Sequence, residues 1–417
     1  MVSITEVAII GAGPYGLSLA SHLRARGTDV RVFGFPMQTW RESMPPGMKL
    51  KSEGFASSLS DPTSELTLGA YCSANGLPYS DTGLPVNVET FVAYGEAFQK
   101  RFIPDLERKM VMSVEPAPYG FDLGLDSGEV VAARRVVVAS GIKAFDYIPP
   151  ELRSLPGELL THSVAYGDAT HLSGRDVTVI GSGASAMDVV ALLRACGAKV
   201  TILTRQATIR FQSPLGERSL YEKITAPMTG LGPGWKSVLC VKAPLVFHAM
   251  PENFRVDVVR RYLGPAPGWF VREKVEGHVP YITRSNVIEA TANKAGVRLV
   301  IRHADGPSSE ISADHVVAAT GYRVDLDRLT FLSGRILSTV RRAAGAPALS
   351  RNFESSVPGL YFVGTAAANS FGPMMRFAYG AAFSAGRLSR HLTARSQRHG
   401  VSVSKASPTV GTERRLQ

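Results

Sequence analysis

The chain has 417 residues, 45% of them hydrophobic and 19% charged, with 46 Lys and Arg against 35 Asp and Glu for a net charge of +11. That length supports two or three domains with cores of their own, and the balance is that of a globular protein, which excludes a disordered or low-complexity chain. The positive charge is scattered, with no basic run interleaved with aromatics, so nucleic acid is not expected as a partner.

No apolar run reaches the roughly 18 residues of a membrane span, and the first residues lead directly into a strand pattern, so no membrane partner and a cytoplasmic location are expected. The three cysteines, Cys72, Cys196 and Cys240, stand too far apart in sequence to read as a redox or metal-ligand pair. No metal site is expected.

From Val7 the chain reads VAIIGAGPYGLSLA: an apolar strand, a glycine-rich turn and the opening of a helix. Gly11 makes the tight turn, Gly13 lets the backbone approach a pyrophosphate, and Gly16 lets the helix pack close to the strand, with Pro14 and Tyr15 completing the turn. The helical stretch LSLASHLRARG and a second strand, DVRVFGF, follow, which is the context that marks a dinucleotide cradle. Where that second strand ends, Gly34 stands in place of the carboxylate that usually holds an adenosine ribose.

The same logic returns further along. RDVTVI is a strand, Gly181 and Gly183 fill the first two glycine roles, and Ala186, after Ser185, takes the third. SAMDVVALLRACG is an amphipathic helix closed by Gly197, and KVTILTR is the next strand. At its end Arg205 occupies the place of an acidic residue. A guanidinium there can hold a 2′-phosphate, which favours NADPH over NADH.

Beyond the second cradle, residues 206 to 285 interrupt the βαβ rhythm with GLGPGW, LGPAPGWF and EGHVP around helical stretches such as ENFRVDVVRRYLG. The aromatics of this insertion, Trp235, Phe247, Trp269 and Phe270, either wall a substrate site or form a small core of the insertion itself. Residues 396–417 lack periodicity and are expected to be disordered.

Two cradles about 170 residues apart, the second opening Gly-x-Gly-x-Ser-Ala, resemble the two-dinucleotide-binding flavoproteins and, within them, the class B flavin-dependent monooxygenases: the flavin-containing monooxygenases, the Baeyer–Villiger enzymes and the ornithine and lysine N-hydroxylases. The resemblance covers residues 5 to 395 and implies FAD in the first cradle and NADPH in the second. The fold implied is α/β, with two Rossmann-like dinucleotide-binding domains. The NADPH domain (166–315, with the insertion) is set into a discontinuous FAD domain (1–165 and 316–395).

VVVASG, ending at Gly141, resembles the family's crossing out of the FAD domain, and VVAATGY, with Gly321, its return. The segment from Gly359, with Gly364 and Thr365, resembles the last FAD strand and its flavin-facing helix. LPGELLTHSVAY, with Gly157, His162, Ser163 and Tyr166, resembles the family's linker. The stretch from Thr39 to Pro62 resembles the loop that passes over the flavin, which implies contacts from Trp40, Met48, Lys51 and Ser52; Glu53 stands where relatives carry Asn or Gln.

The function so implied is an FAD-dependent, NADPH-using monooxygenase that takes O2 and oxygenates a soft nucleophile of a small molecule, an amine nitrogen or a sulfide, through a peroxyflavin. Such chemistry needs a dry, hydrogen-bonded site. Lys51, Ser52, Asn369 and Ser370 are the catalytic candidates, Phe371 and Met374 an apolar wall, Arg376 a partner for phosphate or substrate, and Trp235 and Trp269 further substrate contacts. An NADPH oxidase or reductase without oxygen insertion, and a low-turnover flavin-binding redox sensor, are the alternatives. A disulfide reductase on the same domains would need a cysteine pair by the flavin.

Overall fold

The computed structural model describes residues 3–404 except 167, 215–217, 263 and 265, with side chains described as far as residue 394. Strand β1 (Val7–Ile10) is four apolar residues in succession, all buried, as a strand covered on both faces requires. Helix α1 (Pro14–Arg24) opens with Gly13 as its N-cap and a proline in its first turn. β2 (Val30–Phe33) then pairs parallel to β1, Val7 opposite Val30. Helices α2 (Gln38–Glu42), α3 (Leu68–Ala74) and α4 (Val88–Phe102) lead to an antiparallel meander of β3 (Val111–Ala117), β4 (Gly120–Leu125) and β5 (Val130–Ala133). β6 (Val136–Val138) returns parallel along the other side of β1.

The second unit begins with β7 (Leu160–His162), followed by β8 (Asp176–Ile180), α5 (Ala184–Ala195) and β9 (Lys199–Leu203). The insertion supplies α6 (Leu220–Thr225), α7 (Trp235–Lys242), α8 (Pro244–Ala249), α9 (Glu252–Arg261) and α10 (Arg272–Val275). The short β10 (Tyr281–Ile282) precedes a second meander, β11 (Ser285–Asn293), β12 (Gly296–His303) and β13 (Ser309–Ala313), and β14 (His315–Ala318) closes the unit. The chain then returns through α11 (Gly334–Thr339), a ribbon of β15 (Arg342–Ala343) and β16 (Ala346–Pro347), β17 (Leu360–Phe362), α12 (Ala368–Phe371) and α13 (Gly380–Ser404).

Both main sheets are parallel, with orders β17-β6-β1-β2 and β10-β9-β8-β14-β7. The fold is therefore the α/β, two-sheet arrangement expected. The likeness of the halves extends further than the cradles: each has a cradle strand between a post-meander strand and a second strand, and each carries its own three-stranded meander.

Three boundaries differ from expectation. β7 and β14 hydrogen-bond within the second sheet, so residues 160–162 and 316–318 pack with the second unit and the crossings lie outside them. α13 continues through residue 404, past the point where an irregular tail was expected. Its beginning lies along α1, with Thr393 and Thr28 hydroxyls 3.2 Å apart; the remainder of the expected tail, 405–417, is outside the described residues. Finally, the stretch after β17 is not one helix. Two 3-10 turns flank the four-residue α12, and Gly372 at φ +94° separates α12 from the second turn.

The insertion is fastened to the first unit. Arg376 donates to the carbonyls of Val259 and Tyr262 at the end of α9 (3.2 and 2.8 Å), and His248 Nε2 on α8 donates to Leu349 O (2.9 Å). No helix among the described residues is long and apolar enough to cross a membrane.

Candidate functional site: two cradles and the seam between them

The three glycines of the first cradle do separate work. A Cβ on Gly11 (φ +115°) would lie 2.3 Å from the carbonyl oxygen of Ala139, and one on Gly16 would lie 1.9 Å from that of Gly11. Neither position admits a side chain, because backbone packs against backbone. Gly13, in contrast, is extended (φ −89°, ψ −171°), and a Cβ there would meet no protein atom within 4 Å. It leaves space above the first turn of α1, where no side chain caps the free N–H groups. That is the arrangement in which a pyrophosphate can be held by backbone and helix dipole.

Tyr15 closes the cradle from the side. Its hydroxyl lies 2.8 Å from the carbonyl of Phe377 and 3.0 Å from that of Met375, its ring sits against Gly364 (φ +73°), and burial pushes its pKa up. Thr365 follows, half-buried, in the first 3-10 turn. At the end of β2, Gly34 (φ +130°) lies so close to the cradle that a Cβ would stand 3.3 Å from Ala12 N. The nearby Glu107 does not replace the missing carboxylate, since Arg31 holds it with two hydrogen bonds of 2.6 and 2.8 Å.

In the second cradle a Cβ on Gly181 (φ +137°) would lie 2.3 Å from Ala319 O. Gly183 is the extended N-cap of α5, again without a side-chain cap, and Ser182 Oγ accepts a 2.9 Å hydrogen bond from Thr204 at the end of β9. Ser185 is half-buried in the first turn, and Ala186 is buried where the first cradle uses glycine. Arg205 projects exposed beyond β9, with no ion pair among the described residues.

The crossings run side by side. Gly141 (φ +72°) and Gly321 (φ +82°) turn the chain out of β6 and β14. Tyr147 N donates to Gly321 O (3.0 Å), Arg323 N donates to Phe145 O (2.8 Å), and the Arg323 guanidinium stands 3.5 Å over the Tyr147 ring. His162 is buried here, with Nε2 donating to Gly321 O (3.0 Å) and Nδ1 accepting from Val164 N (3.2 Å); burial lowers its pKa. It ties the end of β7 to the second crossing. Tyr166, also buried, reaches His315 (3.2 Å).

The loop expected over the flavin lies at the seam of the two units. Trp40 meets Phe91 edge-on at 4.8 Å. Met48 is clipped to α4 by Val88 N at 2.9 Å and helps line a cleft of about 380 Å³ that the loop 45–49 forms with Asp188 and Leu192 of α5 and with Phe270. Lys51 follows on the same loop. Burial pulls its ammonium down to about 8, with Asp188 opposing and Arg376 reinforcing that shift. Asp188 answers from α5, its carboxyl pushed up to about 7 by burial against the pull of Lys51 and Lys274. Neither residue has a hydrogen bond or close ion pair among the described residues. Ser52 is half-buried beside Lys51, while the carboxylate of Glu53 turns away to accept from Gly83 N (2.7 Å).

Sequence reasoning missed Asp188. It follows the Gly-x-Gly-x-Ser-Ala run by two residues, and the available signal was a lone acidic residue on a face of α5 shared with Ala191, Leu192, Arg194 and Ala195.

The segment after β17 departs from expectation. The Asn369 amide donates to Ala343 O (2.9 Å), and the buried Ser370 hydroxyl accepts from Leu349 N (3.2 Å). Phe371 is buried and stacked on Phe353 at 4.1 Å, and Met374 is likewise in the core. The turn at Gly372 points these side chains inward, so Phe371 and Met374 belong to packing, and Arg376 is engaged with α9. The insertion aromatics do not converge either. Trp235 faces outward, Phe247 packs under Gly372, and Trp269 meets Phe270 edge-on (5.8 Å) beside α5.

All three cysteines are free, with Cys72 and Cys240 buried and their thiols pushed up by burial. Among curated proteins, the chain is 27% identical over 337 residues to the indole-3-pyruvate monooxygenase YUCCA1 of Oryza sativa subsp. japonica, covering 76% of each. Among solved structures, the ornithine hydroxylase PvdA of Pseudomonas aeruginosa superposes with a TM-score of 0.74 at 18% identity, over 94% of this chain and 100% of that one. The flavin-containing monooxygenase from Stenotrophomonas maltophilia does so at 0.65 and 20%, over 95% and 100%. The pattern of one family, pyridine nucleotide-disulphide oxidoreductase, matches residues 5–223. With more than half of the sequence and both cradle units inside that match, the chain belongs to the pyridine nucleotide-disulphide oxidoreductase family.

Proposed function

We propose that this is a class B FAD- and NADPH-dependent monooxygenase of the cytoplasm, which uses O2 to oxygenate a soft nucleophile, an amine nitrogen or a sulfide, of a small molecule. The observation that carries the reading is the pair of cradles, each with an extended glycine and no side-chain cap at the N-terminus of its helix, meeting at a seam where Lys51 and Asp188 have no hydrogen bond or close ion pair among the described residues. The likeness to YUCCA1, a monooxygenase, and PvdA, a hydroxylase, supports the same class. The family's disulfide branch is disfavoured by two buried thiols that burial keeps protonated.

Gly11, Gly13 and the first turn of α1 would hold FAD, with Thr365 and the segment fixed by Tyr15 at its flank. Gly181, Gly183, Ser185 and Arg205 would hold NADPH. Bound flavin supplies hydride acceptance and oxygen activation. The chain contributes proximity and dryness: α5 presents the second cradle to the first, and Trp40 and Met48 pack the seam against water. Lys51, with an ammonium near neutrality, can donate and regain a proton beside the reacting centre, and Ser52 can hydrogen-bond there. The first unit is then residues 1 to about 147 and about 323 to 395.

Flavin-loaded protein is supplied with NADPH, isotopically labelled dioxygen and a panel of amines and sulfides. One labelled oxygen in product per NADPH consumed is expected for at least one compound. Hydrogen peroxide equal to NADPH with every compound would make the protein an oxidase, and no NADPH-driven bleaching of the flavin would make it a sensor.

A further inference from the structure

The insertion carries a face that no described residue covers. α6 is a six-residue helix closed by a capping box between Ser219 and Glu222, and it buries none of its residues. Leu220, Tyr221 and Ile224 stand outward from it, Tyr221 with 76% of its surface open. On α7 the pattern is mixed. Trp235, 62% exposed, and Leu239 alternate with exposed Lys236 and Lys242, while Ser237 and Cys240 turn inward. Positions 235, 239 and 242 fall on one stripe of that helix. Phe254 of α9 is exposed as well. Gly234 N donates to Pro227 O (3.0 Å), which holds the end of α6 near the start of α7, and exposed apolar side chains on neighbouring helices are ordinarily covered in the working protein.

The lysines decide what covers them. A second copy of the chain would have to strip water from Lys236 and Lys242 beside Trp235, and the cores of protein interfaces are depleted of lysine for that reason. A two-fold contact would also oppose two faces of the same positive sign. A lipid headgroup layer meets the same pattern without conflict. Trp235 and Leu239 enter the acyl boundary while the ammonium groups reach back along their stems to phosphate. On α6 Lys223 is offset by Glu222, so the attraction comes from α7, which carries Lys236 and Lys242 and no acidic residue, and from the chain's net charge of +11. The absence of a spanning helix bears only on crossing a membrane, not on resting against one.

We propose that α6 and α7 form a docking face for an anionic phospholipid surface. α8 and α9 rest on α12, so the docked face lies one helix layer from the segment that follows β17.

The test is co-sedimentation of full-length, flavin-loaded protein with vesicles of phosphatidylglycerol and phosphatidylcholine, against phosphatidylcholine alone. Binding to the anionic vesicles only, reversed by salt, is expected. Lys236→Gln with Lys242→Gln should weaken partitioning about thirtyfold, each cation being worth about fivefold at such a surface. Tyr221→Ser with Ile224→Ser should weaken it at least about tenfold. Because α6 buries nothing, this pair should retain the wild-type flavin content and thermal midpoint. Absence of wild-type binding at low salt, or wild-type binding by both double variants, overturns the proposal. So does a wild-type dimer that Tyr221→Ser with Ile224→Ser converts to monomer without any vesicle binding, which would assign the face to a second copy.

Discussion

Replacing Gly13 with alanine separates construction of the first cradle from its use. At Gly13 the backbone is already in the extended region open to every residue, and the new methyl would meet no protein atom within 4 Å. The slight N-cap disadvantage of alanine is offset by its lower unfolded-state entropy, leaving a net change of about 0.5 kcal/mol or less. The methyl does occupy the space in which a pyrophosphate would approach the first turn of α1. Losing about two charge-assisted hydrogen bonds there costs about 4 kcal/mol, a factor of about a thousand in the FAD dissociation constant. Gly16→Ala is the control with the opposite signature: its Cβ, 1.9 Å from a backbone oxygen, cannot be placed without parting helix from strand, so apoprotein stability falls first. Thermal melting of flavin-free protein reads the first effect, and quenching of FAD fluorescence on titration reads the second. The reasoning fails if Gly13→Ala binds FAD within a few-fold of wild type, or if it destabilises the apoprotein as much as Gly16→Ala does.

Arg205→Ala should raise the dissociation constant of NADPH about tenfold and leave that of NADH unchanged, without loss of stability, since the side chain is exposed; equal effects on both would remove Arg205 from the site. Asp188 makes stability pH-dependent in a defined sense. With its native carboxyl near 7, the folded chain keeps a proton that the unfolded chain releases near pH 4, so stability should fall as pH rises between those values. Asp188→Asn should flatten that slope in apoprotein melts. Lys51, near 8, acts in the other window: stability should rise with pH from about 8 toward the ordinary lysine value, and Lys51→Met should abolish the rise. His162→Ala leaves the Val164 amide without its partner and takes from Gly321 O one of its two donors, Tyr147 N remaining, for a cost of about 2 kcal/mol in urea unfolding. Removing all three cysteines as alanines should preserve the rate of NADPH oxidation; loss of turnover in folded, flavin-loaded protein would reopen the disulfide route.

Both cradles were legible in the sequence because strand, turn and helix are local and because glycine marks backbone constraints that no other residue meets. Gly11, Gly16 and Gly181 each sit where a Cβ would strike a carbonyl oxygen, and their spacing alone says so. The segment from Gly364 to Phe377 was legible in composition but not in direction. Whether Phe371 faces a flavin or a core depends on Gly372 taking φ +94°, a tertiary choice with no local signature, and here the stack on Phe353 won. Lys51 was legible in the sequence and Asp188 was not, because what marks Asp188 is its approach to Lys51, which depends on how the loop from Pro45 lies across α5, a long-range contact. The strands β7 and β14 were misassigned by a few residues, because a short apolar strand reads the same whichever sheet accepts it.

The two sheets differ in when they can be completed. In the second, the outer strand β7 comes first in the chain, and every strand is present once β14 has been made. In the first, the equivalent outer strand is β17, and α13, which lies along α1, comes later still. As the chain leaves the ribosome, the half that starts first must therefore wait for the half that starts second, holding β6 as an open edge through the synthesis of more than 200 residues. The second unit can mature while the first is still unfinished, so, with FAD held in the first unit as proposed, flavin uptake should mark the last step of the protein's assembly.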